Sequence, residues 1–528
     1  MPKKPEDQYG QASKLWQDYR DESAVFRGEQ YTKFTIPSLM VDPLKGLKGE
    51  TARQIEHDFQ SVGAFLVNNL ASKIVSALFP ANMPYFKLEM SADLEAQAAE
   101  QNIDAAELQG ILSVWERDST KQVFLHGGQH KLIRAIKLLI TVGDCLLYRD
   151  TTTQKFMVWT RQSFSVRRSP TGDVSCIILK QRFDYAELDE DIRKDCDAKT
   201  HTQYKPGQNL DLYTVVKTIP GKPNNKVKVW HEINDKQVGP TSTYPEHLSP
   251  YLVPVWNLAD GENYGRGLVE EYAGDFARMS LVTEQLGLYE LDSLNILNLV
   301  DESAGGVVDD YQKADTGDYV PGKTGAITSY ERGDYNKMAS INNSLGVLVQ
   351  RLSQAFMYAG QMRNAERVTA EEVRRIAREA EITLGGVYSL LAESLQAPLA
   401  YLSMAEVAEG NDGLLFGVIS RDYKPTITTG IPAMTRSQDT ENLMMAAQEA
   451  AAIVPALQQI SNRFDTDKVV EKIFQGNSVN LEEISKSPEQ LAEDARAQQE
   501  QAQAVGQATD AAAAGGITEV QQAIQGIR

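Results

Sequence analysis

The sequence predicts an α+β protein, mainly helical, with its antiparallel sheet gathered in one middle stretch. Long runs in which apolar residues recur at steps of three and four predict the helices. A block of short branched and aromatic runs between residues 145 and 258 predicts the strands, and helix and strand do not alternate as βαβ units would require.

Residues 10–140 read as helical segments broken at Pro37, Pro43, Pro80 and Pro84. The most apolar run, Val62 to Phe79, is interrupted by Asn68, Asn69 and Lys73. Its Val62, Leu66, Leu70, Ile74 and Leu78 step by four, which predicts a buried helix and not a membrane span. From there the pattern shortens to Cys145–Tyr148, Phe156–Trp159, Val174–Leu179, Leu210–Val216, Val227–Trp230 and Leu252–Trp256. Turn clusters such as Ser169-Pro170-Thr171-Gly172-Asp173 separate these runs and predict an antiparallel sheet.

Two long helical patterns follow, Tyr264 to Leu294 and Lys337 to Tyr358, separated by a short polar, Gly-rich insert. In the first, Leu268, Tyr272, Phe276, Met279, Val282, Leu286 and Tyr289 form one stripe. In the second, Met338, Ile341, Leu345, Leu348, Leu352 and Phe356 do the same. The first would be about 40 Å long, more than a compact core needs. The pair reads as a helical hairpin that packs on itself or on copies of itself.

The box Thr369-Ala370-Glu371-Glu372 then opens a third long helix, whose stripe runs from Val373 to Leu402 and which Gly385-Gly386 and Pro398 should kink. Residues 439–475 read as a small helical unit. Beyond Ser487 the chain is rich in Glu, Gln and Ala, a composition that makes a rigid helix only beside copies of itself.

At 528 residues, 42% hydrophobic and 24% charged, the chain is long enough for two to four soluble domains. Its 53 basic against 72 acidic residues, a formal −19, argue against a tight grip on DNA, which is driven by Lys and Arg displacing counterions. A conduit that DNA only passes through is compatible with that charge. Cys145, Cys176 and Cys196 show neither disulfide nor zinc spacing, so a reducing compartment fits, and the polar Met1 to Gly10 shows no secretory signal.

Gly317-Asp318-Tyr319-Val320-Pro321-Gly322-Lys323-Thr324 matches the phosphate-loop pattern letter for letter. Such a loop cradles phosphate only between a strand and a helix, and here both flanks are polar, so a P-loop NTPase remains the alternative reading. His126 and His130 have metal-ligand spacing, but Gly127-Gly128 breaks the helix that would align them. Asp301, Glu302, Asp309, Asp310, Asp315 and Asp318 fit no EF-hand loop and read as a solvated surface. No nucleophilic triad can be assembled, so no catalytic residue, metal or cofactor is expected.

Several strings resemble one family. They are Phe34-Thr35-Ile36-Pro37-Ser38-Leu39, Asn69-Leu70-Ala71-Ser72-Lys73 followed by Ala77-Leu78-Phe79-Pro80, Asp260-Gly261-Glu262-Asn263-Tyr264-Gly265-Arg266, Glu366-Arg367-Val368-Thr369-Ala370-Glu371-Glu372, Thr383-Leu384-Gly385-Gly386-Val387-Tyr388-Ser389 and Thr428-Thr429-Gly430. With the hairpin, the kinked helix and the Ala/Gln tail, they resemble the portal, or head-to-tail connector, proteins of short-tailed double-stranded DNA bacteriophages of the autographivirus type.

The resemblance implies a ring of twelve subunits at one capsid vertex of the virion, assembled in the bacterial cytoplasm, through which DNA is packaged and ejected. It implies the phage portal fold in parts. Residues 1–263 would form a wing, 264–296 a first stem helix, 297–335 a clip, 336–356 a second stem helix and 357–368 a tunnel loop. Residues 369–431 would be the kinked helix and its return to the wing, 432–480 a crown and 481–528 a C-terminal helical barrel.

In the tunnel loop Arg363 and Arg367, with Gln361 and Asn364, would touch DNA phosphates without reading bases. In the clip Asp309, Asp310, Asp315, Asp318 and Lys323 would meet the large terminase subunit first and tail adaptor proteins later. Major capsid, scaffolding and internal core proteins are the other implied partners, and no membrane is. Twelve copies at −19 carry a formal −228, so DNA should slide and not stick. A structural scaffold without an axial channel is the remaining alternative.

Overall fold

The structure is a computed structural model. It describes residues 9–41, 58–80, 84–88, 105–200, 204–221, 225–301, 308–320, 323–325, 327–331, 335–358, 386–410 and 427–429, with a few single positions besides. The chain divides into two units, Met1–Met434 and Thr435–Arg528, and every element below belongs to the first. The crown and barrel expectations, 432–480 and 481–528, fall outside the described residues but for two positions, and the capping box at Thr369 falls outside them entirely.

Helices α1 (Ala12–Tyr19), α2 (Glu22–Phe34) and α3 (Val62–Leu78) open the chain. Asp21 caps α2, accepting from the amides of Ser23 and Ala24. α1 has no cap of its own. The buried carboxylate of Glu232, far along the chain, accepts from Gly10 and Ala12 instead, placing an anion at the positive end of the helix. α3 buries Leu66, Leu70, Ile74 and Leu78, as their spacing predicts. Among the described residues no helix is long and apolar enough to cross a membrane.

Strand β1 (Phe86–Leu88) leads to α4 (Ala105–Phe124) and α5 (Gly128–Thr141). His126 and Gly127 both have positive φ at the junction, so the helix breaks where the glycines predict. His126 and His130 are exposed, and among the described residues no group of side chains is arranged to hold a metal.

The middle region is antiparallel sheet, with more strands than the sequence pattern shows. β2 (Leu146–Arg149), β3 (Phe156–Trp159), β4 (Phe164–Arg168) and β5 (Val174–Asp184) are followed by α6 (Glu190–Thr200). β6 (Asn209–Ile219), β7 (Lys226–Ile233), β8 (Lys236–Pro245) and β9 (Tyr251–Leu252) complete it. One sheet has the order β3-β2-β9 and the other β4-β5-β6-β7-β8.

β4, α6 and β8 are unforeseen, and the predicted run Leu252–Trp256 shrinks to β9 plus a single bridge from Val255 to Asp144. Alternation along β5 serves two cores. Ile177 and Leu179 pack with Phe164, Val216 and Val229, whereas Cys176 and Ile178 pack with Trp230 against α1. All three cysteines are buried and unpaired, and burial pushes the Cys176 thiol up to about 12, so these sulfurs are inert fillers.

The first long helical pattern is two helices, α7 (Leu268–Glu271) and α8 (Ala273–Ser293), with Tyr272 at the break. α8 has 21 residues and is therefore about 30 Å long, shorter than the periodicity suggests. After β10 (Ile296–Val300), α9 (Val308–Lys313) and β11 (Ile327–Glu331), α10 (Tyr335–Ala355) returns.

The third helical stretch is broken at the expected Gly386 and again near the expected Pro398, where a π turn is added. Gly386 at φ +87 starts α11 (Val387–Leu391), a π turn spans Ala392–Gln396, and α12 (Ala397–Gly410) carries Pro398 at its start. The wider π turn absorbs the amide that proline lacks. Strand β12 (Ile427–Thr429) pairs with β1, and Thr429 donates its hydroxyl to the Ala392 carbonyl. The largest core joins α3, α5, α11 and α12 to the root of the α8–α10 pair.

Candidate functional site

The α8–α10 hairpin is fixed at its root by backbone packed directly on backbone. A Cβ on Gly265 would stand 2.4 Å from the Gly143 carbonyl oxygen, and one on Gly267 would stand 2.7 Å from that of Ile140. Only glycine admits this approach.

Beside it Arg161 meets Asp144 through two hydrogen bonds of 2.6 and 3.0 Å, both side chains buried. Arg161 also donates to the carbonyls of Ala24 and Gly265, and Asp144 accepts from the Gly265 amide at 2.8 Å. A buried ion pair is tolerable only when its remaining donors are satisfied in this way. On the outer side Arg266 pairs with Glu262 and Glu270, and its hydrogen bonds hold the Glu262 carboxyl below the usual carboxylate range.

Above the root, Phe356 meets Phe276 and Tyr272 edge-on at 5.8 and 5.9 Å, an arrangement worth about 1 kcal/mol beyond the area it buries. Met279, Leu348 and Leu352 complete the seam, and Arg351 bonds Asp275 across it. Toward the tip the seam opens, for Leu345, Ile341 and Met338 are only partly buried.

The opposite side of α8 is apolar as well. Leu281 and Leu288, one heptad apart, are 59% and 55% exposed, and Leu291, 65% exposed, continues the row. Val347 on α10 also faces solvent. The hairpin therefore carries two apolar faces, of which the described residues cover one.

At the tip β10 and β11 pair antiparallel from Ile296↔Glu331 to Val300↔Ile327, with the Ser329 hydroxyl donating to Asn298 at 2.7 Å. The short apolar run Ile296-Leu297-Asn298-Leu299-Val300, with branched residues at both ends, is a signal that could have revealed this hairpin. Helix α9 between the strands is held by the solvent-exposed pair Asp309–Lys313.

Asp318 accepts from the Asp315 amide at 2.8 Å, closing the next turn, and hydrogen bonds from Ser303 hold the Asp301 carboxyl low. Thus Asp309, Asp310, Asp315, Asp318 and Lys323 all lie exposed on one insert. Arg363, Arg367, Gln361 and Asn364 lie outside the described residues.

The phosphate-loop string has its flanks reversed. Among the described residues a helix, α9, precedes it and a strand, β11, follows, the reverse of the order that sets a helix N-terminus on a phosphate.

A family model described as bacteriophage head to tail connecting protein matches residues 10–484. The portal protein of Pseudomonas phage phiKMV is 45% identical over 516 residues, covering 98% of this chain and 99% of that protein. The portal protein of Enterobacteria phage T3 is 30% identical over 437 residues, 81% of this chain and 79% of that one. A chain from the neck of an empty gene transfer agent particle aligns at a TM-score of 0.33 and 11% identity, over 70% of this chain and 88% of that one, a likeness too slight to carry weight.

Proposed function

The chain belongs to the bacteriophage head-to-tail connecting family, the portal proteins, and from that membership we propose that it closes into a twelve-membered ring around a channel for double-stranded DNA. As a portal it joins head to tail and takes part in genome packaging. α8 and α10 are the stem, residues 297–335 the clip and residues 357–368 the tunnel loop.

The observation that supports the ring is the uncovered apolar face of α8. Leu281, Leu288 and Leu291 repeat along the distal half of the helix on the side away from its buried stripe, and burying each is worth about 2 kcal/mol. A row of that kind on a helix whose other face is already filled is an interface awaiting its counterpart. Neighbouring copies related by rotation would supply one, and an interface of head-to-tail type closes into a ring.

In the clip, the exposed carboxylates and Lys323 form a polar surface suited to reversible contact, first with the large terminase subunit and then with tail adaptors. Arg363 and Arg367 would present cations to passing phosphates. Capsid, scaffolding and internal core proteins would meet the outer surfaces, in a virion put together in the host cytoplasm. No hydrolysis is assigned to this chain.

Electron-microscope class averages of purified protein test the reading together with the double variant Leu281→Glu/Leu288→Glu. The wild type should show a ring with an axial pore. The variant should stay a folded monomer at concentrations where the wild type is assembled. Wild-type particles with no pore, or rings formed equally well by the variant, would overturn it.

A further inference from the structure

The C-terminus of α10 ends in a conformation that its residues do not favour. Met357 has φ +55, in the left-handed region where glycine is the usual occupant. Its amide donates to the Gln354 carbonyl and the Tyr358 amide to that of Ser353 at 2.7 Å, the paired bonds of a Schellman turn. A methionine held there costs about 1 kcal/mol and persists only where neighbours impose it.

Those neighbours come from α3. Lys73 donates its ammonium to the Met357 carbonyl, and Phe65, two turns earlier, sets its ring edge-on to Tyr358 at 4.8 Å. Lys73 is the one charged residue of α3, is partly buried, and among the described residues pairs with no carboxylate. Its charge sits instead at the negative end of the α10 dipole, a placement that favours a cation.

We infer that Lys73, with Phe65, is a positioning residue that fixes the end of α10 at Met357–Tyr358, and so sets the direction in which the chain leaves the stem. The inference rests on the stem and tunnel-loop reading above only for its consequence in DNA handling. The clasp itself is local. It couples a helix of the N-terminal region to the last turn of the stem, so a displacement of one is felt at the other.

Hydrogen exchange on assembled rings, read at the amides of Phe356, Met357 and Tyr358, tests it. Lys73→Met keeps the length of the stem and removes the donor; exchange at these amides should rise at least tenfold, with ring symmetry unchanged. Lys73→Arg should restore wild-type exchange, which a side chain serving only to fill space would not do. If Lys73→Met does not fold, Phe65→Ala, at a half-exposed position, should give a smaller rise of the same sign.

Unchanged exchange in Lys73→Met, or in Phe65→Ala when that variant stands in for it, overturns the clasp. DNA retention separates the two readings. A rise in exchange with normal DNA retention upholds the clasp and removes the tunnel-loop role. Altered retention in Arg363→Ala/Arg367→Ala, with exchange unmoved in Lys73→Met, does the opposite.

Discussion

Single residues set how firmly the α8–α10 hairpin is rooted. Because a Cβ on Gly265 would press into the Gly143 carbonyl, Gly265→Ala should cost at least about 2 kcal/mol, measured by urea unfolding in the monomeric Leu281→Glu/Leu288→Glu background. Gly287→Ala is its counterpart. That glycine lies inside α8 with open space around it, so the same methyl should stabilise by about 1 kcal/mol. Glu262 supplies a pH signature. Hydrogen bonds from Arg266 lower its pKa in the folded chain, so its contribution is present above the ordinary carboxylate pKa and is lost as pH falls through the lowered one. Unfolding free energies of Glu262→Gln and wild type should therefore differ at neutral pH, by an amount that solvent screening holds to about 0.5 kcal/mol, and converge only in acid. The sequence pointed to the Asp260–Arg266 string without revealing its chemistry. Asp144 and Arg161 meet only after strands turn the chain back, and a carboxylate and a guanidinium 17 positions apart carry no periodic mark.

Among the elements, the long ones with a repeated apolar stripe were legible, whereas short or polar ones such as β4, α6 and β8 were not. α3 and the α8–α10 seam could be read because burial selects residues at the helical period. β8 could not, since this edge strand, Lys236-Gln237-Val238-Gly239-Pro240-Thr241-Ser242-Thr243-Tyr244-Pro245, buries Val238 alone. Its prolines suit an edge, where no partner asks for their missing amide. The β10–β11 hairpin escaped for a related reason, being exposed on both faces. That exposure makes the tip separable from the α8–α10 helices. Deleting Asp309–Thr316 removes α9 and the turn after it while leaving both strands, so rings should still form whereas affinity for the large terminase subunit should fall at least tenfold in a pull-down titration. Loss of the ring before loss of the partner would count against a docking role for this insert.

For the whole molecule, the reading turns on how much apolar surface one copy leaves in water. The fold class followed from periodicity, because the cores of the Met1–Met434 unit are built from the stripes that the sequence displays. Packing against copies was already an expectation of the hairpin stripes, but which face would meet them was not legible, because the leucine row on α8 has the same spacing as a core stripe and only the folded chain shows that no described residue covers it. A subunit fresh from the ribosome carries that greasy strip with no companion at hand. Its useful lifetime then depends on how soon it collides with another, and stability becomes a function of abundance. Slow expression would leave solitary chains prone to clumping, while a burst of synthesis would hurry them into company before they could go astray.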